Sequence, residues 1–170
     1  MTAAAPLREV FAGTIRFERT RDMGLVKAII TVPEIYRHVT DDGAPRPEDF
    51  TPMDHPAIWY VLAWDEDECL GAWTFMPANS TCWEVHTCLL PSAYMVKGRT
   101  AVAGRQVIQW IWDNTPCQRI ITNVPSYNRL ALRFAERAGM VVMGVNVRSF
   151  MKNGELLDQI MLGISKPEVT

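Results

Sequence analysis

At 170 residues the chain is long enough for one sizeable hydrophobic core and short of two ordinary domains. Hydrophobic residues at 48% and charged residues at 21% exclude a disordered chain, and no apolar run reaches the roughly 18 residues of a membrane-crossing helix. A formal net charge of -2 removes any reason to expect long-range attraction to nucleic acid or anionic lipid.

The opening "MTAAAPLREVFAG" lacks a basic segment followed by an apolar core, so it does not read as a secretory signal, and a cytoplasmic protein is expected. Residues 14–18 then alternate Ile15 and Phe17 with polar neighbours, as a half-buried strand does. Asp22 is a helix cap ahead of an apolar stripe at Leu25, Val26, Ile29 and Ile30, and Pro33 ends that helix or starts a second one to Val39. The stretch 40–56, rich in Pro and Asp, reads as an ordered loop or one holding a short helix. Next come "AIWYVLAW" and "CLGAWTFMP", a hairpin around "DEDE", and a further strand "CWEVHTCLL" over 82–90. Alternation puts Trp83, Val85, Thr87 and Leu89 on one face of that strand, and Cys82, Glu84, His86, Cys88 and Leu90 on the other.

After Pro91, the stripe Ala103, Val107 and Ile111 predicts a helix that starts near Arg99 and stops at Asn114 and Pro116. "RIITNV" is a short strand, 128–138 a helix closed by Gly139, and two last strands flank the hairpin signal Asn153-Gly154. Residues from Lys166 onward read as frayed. Cys69, Cys82, Cys88 and Cys117 form no CxxC pair and read as buried free thiols. The histidines, His38, His55 and His86, bring the chain no metal-ligand spacing, so no metal is expected. The six tryptophans sit in periodic strands and helices without a basic stripe, which favours core packing or a dimer contact over stacking on nucleic acid. Elements that must each bury one apolar face make a mixed sheet covered by helices the economical solution, in a single domain with its core over about 14–164.

The helix at 128–140 carries Asn128, Ala131, Phe134, Glu136, Arg137, Gly139 and Met140 in an outline that resembles the GNAT superfamily of N-acetyltransferases. The wording of "WEVHTCLLP" and of 114–140 is also similar to small GNAT-like proteins of bacteriophages. The resemblance implies an α/β (α+β) fold: a mixed, mostly antiparallel sheet of about seven strands flanked by helices, splayed between the fourth and fifth strands. It implies acetyl-CoA as co-substrate, its pantetheine arm held by the fourth strand at Cys88, Leu89 and Leu90. The diphosphate falls on the loop Val96, Lys97, Gly98, Arg99, Thr100 and Ala101, where helix N-terminal amides meet an anion. The superfamily pattern at this loop finds Met95, Gly98 and Thr100, so only its first glycine is kept. Asn128 serves as a helix cap, as a residue facing the cofactor arm, or as both, with Ser126 a competing cap.

Acetyl transfer needs a neutral amine, a polarised thioester oxygen and a proton for the leaving thiolate. His86 and Glu84, on one strand face, are the candidates for the base. The superfamily's tyrosine acid maps onto Ala135, which donates no proton, while Tyr127 and Tyr94 are expected near the cleft without mapping onto the acid position. Asp41, Asp42, Glu48, Asp49 and Asp54 either favour a cationic acceptor or form a solvated surface. Two functions follow. One is acetyl transfer from acetyl-CoA to a small-molecule or protein amine by direct attack, with a homodimer among the expected states. The other is a catalytically inactive GNAT-like phage protein that binds another protein.

Overall fold

The structure is a computed structural model, and it describes residues 11–168. Seven strands form one sheet in the order β1-β2-β3-β4-β5-β7-β6. They are β1 (Ile15–Thr20), β2 (Trp59–Asp65), β3 (Glu68–Pro77), β4 (Cys82–Leu89), β5 (Arg119–Pro125), β6 (Val141–Lys152) and β7 (Glu155–Ser165). Every neighbouring pair is antiparallel except β4 with β5. The helices are α1 (Met23–Ile30), α2 (Pro33–Val39), α3 (Arg99–Asn114) and α4 (Arg129–Arg137), with a 3-10 turn at Pro91–Met95 before α3.

Local chemistry accounts for most of these boundaries. The Asp22 carboxylate accepts the Leu25 amide at 2.9 Å and so caps α1, and Pro33 opens α2, where a missing N–H costs nothing. Asn153 and Gly154, at φ 52° and 78°, make the tight β6–β7 turn whose two positive φ angles suit the strands' twist. The segment 40–56 is an ordered loop tied to the helices: the Tyr36 hydroxyl donates to the Pro45 carbonyl at 2.6 Å, and Lys27 Nζ to the Glu48 carbonyl at 2.8 Å.

Alternation divides the sheet's side chains between two layers. Val61, Ala63, Trp73, Phe75, Trp83 and Val85 join α3 and α4 in the larger core. Leu62, Ala72 and Cys88 face the other way, onto Ile29 of α1 and Ile35 of α2. The tryptophans serve this packing, with Trp59 meeting Trp83 and Trp110 edge to face at 6.0 and 6.2 Å. At the far edge of the sheet β6 exposes Val141, Val142, Met143, Val145 and Val147.

The chain after β7 departs from the sequence reading. Lys166 is tied down, its amide donating to the Gln118 carbonyl at 2.7 Å and its ammonium to the Trp112 carbonyl at 3.0 Å. The first ten residues, which carry most of the segment read for a leader, lie outside the described ones. Among the described residues no helix is long and apolar enough to cross a membrane.

Candidate active site

The feature that positions the site is the parallel contact of β4 with β5. It holds for three residue pairs, Cys82 with Arg119, Trp83 with Ile120 and Glu84 with Ile121, and then stops. β4 runs on to Leu89 and β5 to Pro125, so the two strands diverge beyond Glu84. Side-chain bonds cross the start of the opening, among them Thr122 Oγ1 to the Val85 carbonyl at 2.9 Å.

The ladder on the other side of β4 decides which main-chain groups face this gap. Leu90 donates its amide to the Leu70 carbonyl at 2.9 Å, and the register pairs Ala72 with Cys88 and Thr74 with His86. In an antiparallel ladder successive residues turn their N–H and C=O to opposite sides. His86, Cys88 and Leu90 therefore face β3, while Val85, Thr87 and Leu89 face β5 and the opening. This register divides the three residues read as a main-chain cradle: Leu89 presents its backbone to the gap, with Thr87 beside it, and Cys88 and Leu90 do not. The Cys88 side chain is buried against the α1–α2 layer, and that burial pushes its thiol pKa up to about 12.

Between the diverging strands lies a cleft with about 90 Å³ of interior space. Val85, His86, Thr87 and Thr122 to Pro125 line it from the sheet, Gly104, Val107 and Ile108 from α3, and Asn128, Ala131, Phe134 and Ala135 from α4. Gly104 lets α3 pack close to α4 at the cleft wall, because a Cβ there would stand 3.0 Å from both the Ala138 methyl and the Phe134 ring. Asn128 caps α4 by accepting the Ala131 amide at 3.1 Å, which settles the contest with Ser126. The same side chain borders the cleft, so one residue holds the helix and faces the opening.

On the sheet face opposite α3 and α4, the cleft ends in polar groups. His86 lines it and is half-exposed, and Glu84 Oε1 lies 3.7 Å from His86 Nε2. The Asn123 amide nitrogen donates to that same Glu84 oxygen at 3.3 Å, while Asn123 Oδ1 is buried with no partner among the described residues. A buried acceptor left unpaired costs about 1–3 kcal/mol unless something supplies a donor. Because Nδ2 faces a carboxylate, the side-chain orientation is fixed and the bare oxygen is the one aimed away from Glu84. Asn123 was missed in the sequence. Its signal was an asparagine inside a β-branched run, where that residue type is depleted.

At its N-terminus α3 is entered through Gly98, whose φ of 83° is the left-handed conformation a glycine adopts freely. The amides of Thr100 and Ala101 open the helix without intrahelical acceptors, and Lys97 is exposed beside them. Gly104 in the cleft follows Arg99 by about one and a half helical turns. The Arg99 guanidinium, in contrast, is buried. It donates to Asp65 Oδ2 at 2.9 Å, to Glu68 at 2.7 and 3.2 Å, and to the Ser92 carbonyl at 2.7 Å. Burial opposes its charge, and the two carboxylates more than offset that and raise its pKa; Glu68 is held below its usual value by the same hydrogen bond. Its side chain thus shapes the loop and offers no charge to an anion.

The acidic segment is equally engaged. Asp41 bonds the Gly43 amide at 3.0 Å, Asp42 the Asn153 and Gly154 amides at 2.9 and 2.8 Å, Glu48 and Asp49 pair with Arg46, and Asp54 pairs with Arg21. Ala135 is buried in the cleft wall, and the Tyr127 hydroxyl donates to the His38 carbonyl at 3.1 Å. Tyr94 is in the exposed 3-10 turn. Among the described residues no group of three or more His, Cys, Asp or Glu could hold a metal ion.

The sequence model of the acetyltransferase (GNAT) family matches residues 26–140, more than half of the chain and all of β2 to α4. The chain belongs to the GNAT family. No curated protein matches it in sequence. Solved GNAT-fold structures resemble it in shape at low identity. The spermidine N-acetyltransferase of Vibrio cholerae, in complex with CoA and spermine, is 15% identical at a TM-score of 0.71, over 89% of this chain and 95% of that one. The ribosomal-protein-S5-alanine acetyltransferase of Vibrio fischeri is 17% identical at 0.66, over 90% and 94%. The aminoglycoside N(6')-acetyltransferase of Legionella pneumophila is 14% identical at 0.70, over 92% and 94%. These acceptors differ in size and charge, so the shared GNAT fold leaves the acceptor of this chain open.

Proposed function

We propose that the protein transfers an acetyl group from acetyl-CoA to the amine of an acceptor by direct attack. The single observation that carries this is the divergence of β4 from β5 after three residue pairs, which leaves the main-chain groups of Thr87 and Leu89 facing a cleft. Those groups suit an extended amide-bearing arm, added beside β4 as a further strand would be. The amides of Val96, Lys97, Gly98, Thr100 and Ala101, with the Lys97 charge, suit a diphosphate, and the Asn128 side chain borders the arm between them. Acetyl-CoA supplies an acetyl group activated as a thioester.

The residues of the chain then divide the work. His86, which borders the cleft, takes the proton from the attacking amine, and the Glu84 carboxylate 3.7 Å away stabilises the imidazolium that results. Asn123 holds Glu84 through Nδ2, and its unpaired Oδ1 accepts a hydrogen from the incoming amine and orients it. The Thr87 amide, facing the gap, meets the charge that develops on the thioester oxygen. Ala135 offers no proton, so the leaving thiolate takes one from water.

The open cleft favours this reading over a GNAT-like protein that only binds a partner. A second copy of the chain is the partner we retain, supported by the apolar row that β6 exposes at the sheet edge. A crystal soaked in acetyl-CoA, together with a thermal melt at saturation, tests the function. Density for the arm between β4 and β5 and a raised Tm are expected. A cleft without it and an unchanged Tm would end the proposal.

A further inference from the structure

Beyond the cleft, a second depression of about 680 Å³ lies between the end of α2 and the β6–β7 hairpin. That volume suits a small molecule. His38 borders both spaces, so the two adjoin at the end of α2.

Its charges are unequal. Arg37 and Lys152 line it, together with one carboxylate, Glu155. Lys152 directs its ammonium to the Arg37 and Thr40 carbonyls, each at 2.7 Å, so it is fixed in place. Arg37 donates from Nε to His38 Nε2 at 3.3 Å, while its two terminal nitrogens make no bond among the described residues. The Nε bond aims the guanidinium and leaves its terminal fork open. Glu155 is in no ion pair among the described residues, and Asp42, which accepts the turn amides, carries a charge that acts on Lys152. Of the acids of 40–56, Glu48 and Asp49 pair with Arg46 and Asp54 with Arg21, while Asp41 and Asp42 are held by backbone amides.

A planar fork with two free nitrogens matches a carboxylate or similar oxyanion and repels an ammonium group. We infer that the acceptor is a small amine that also carries an acidic group, its anion on Arg37 beside Lys152 and its amine at Asn123 and His86. This deepens, and rests on, the transferase reading.

The test uses the whole chain with acetyl-CoA and two pairs of probes of similar length, γ-aminobutyrate against putrescine and 5-aminovalerate against cadaverine. Release of CoA thiol gives kcat/KM, and calorimetric titration into the CoA-loaded protein gives Kd where turnover is slow. The anionic member of each pair is expected to win by about tenfold or more, the worth of one charge-assisted hydrogen bond. Arg37→Gln, an exposed change, is expected to raise KM for the anionic probe about tenfold with kcat nearly constant and Tm unmoved. Preference for the diamines, equal values within each pair, no binding of either class, or an unchanged KM in Arg37→Gln would overturn the inference. Acetyl-CoA titrated into the same samples separates the two failures. If acetyl-CoA does not bind, the transferase reading falls; if it binds but diamines are preferred, only the acceptor class is wrong.

Discussion

The two faces of the sheet are built by different means. On the α3–α4 side the cleft is made from packed apolar surface and main-chain groups, with Val107, Ile108, Ala135 and Ala138 in one continuous core. On the α1–α2 side the walls are joined by a few polar bonds between residues more than one hundred positions apart, such as Lys152 with Thr40 and Asp42 with Gly154. The first construction tolerates little change, since a core packed to crystal density registers a single methyl group. The second depends on replaceable contacts near solvent.

Three changes probe the comparison, from the largest effect to the smallest. His86→Ala, at the junction of the two faces, is expected to lower kcat by about 10²–10⁴-fold, the usual contribution of a positioned general base. Acetyl-CoA affinity, read by titration, is expected to stay within about twofold, because the proposed hold on the arm uses main-chain groups that the change leaves in place. A tenfold loss of that affinity would show that the faces are not separable. Arg99→Ala removes the buried cation from Asp65 and Glu68. Breaking such a pair costs roughly 3–5 kcal/mol when both partners are buried. With Glu68 at 43% exposure and free to rehydrate, about 2–4 kcal/mol is expected in a denaturant titration. Acetyl-CoA binding should weaken as well, because the loop at Gly98 loses its anchor.

The smallest effect belongs to the polar side. The Gly154 and Asn153 amides hold the Asp42 carboxyl below its usual pKa. A carboxylate depressed in the folded state stabilises the protein above its unfolded pKa of about 3.9 and loses that contribution as pH falls through the lower folded value. The Tm gap between the parent and Asp42→Asn is thus expected to be steady near pH 7 and to shrink below about pH 4. A gap that widens on acidification would contradict the assigned hydrogen bonds.

What the sequence disclosed follows the same division. Asp22, Pro33 and Asn153-Gly154 announce their elements because a cap, a ring and a turn act within a few residues. Asn128 and the apolar stripe of α3 are local in the same sense, and the strand alternation placed Glu84 and His86 together correctly. Register is not local. Which of Cys88, Leu89 and Leu90 turns toward the gap depends on how β3 pairs, which no residue of β4 reveals by itself. The partners of Arg99 lie more than thirty positions earlier, so a buried structural cation reads in the sequence as a phosphate ligand. The meeting of Arg37 with Lys152 eluded reading for the same reason, since it happens only when the hairpin folds back over α2.

The short parallel seam has one more implication. Strands β1 to β4 and strands β5 to β7 are two slabs stitched along three residue pairs, with α3 passing between them in the chain. Beyond that seam the slabs are held together by side chains, chiefly the shared core under α3 and α4. The width of the mouth is thereby a property of the whole sheet rather than of any loop at its rim.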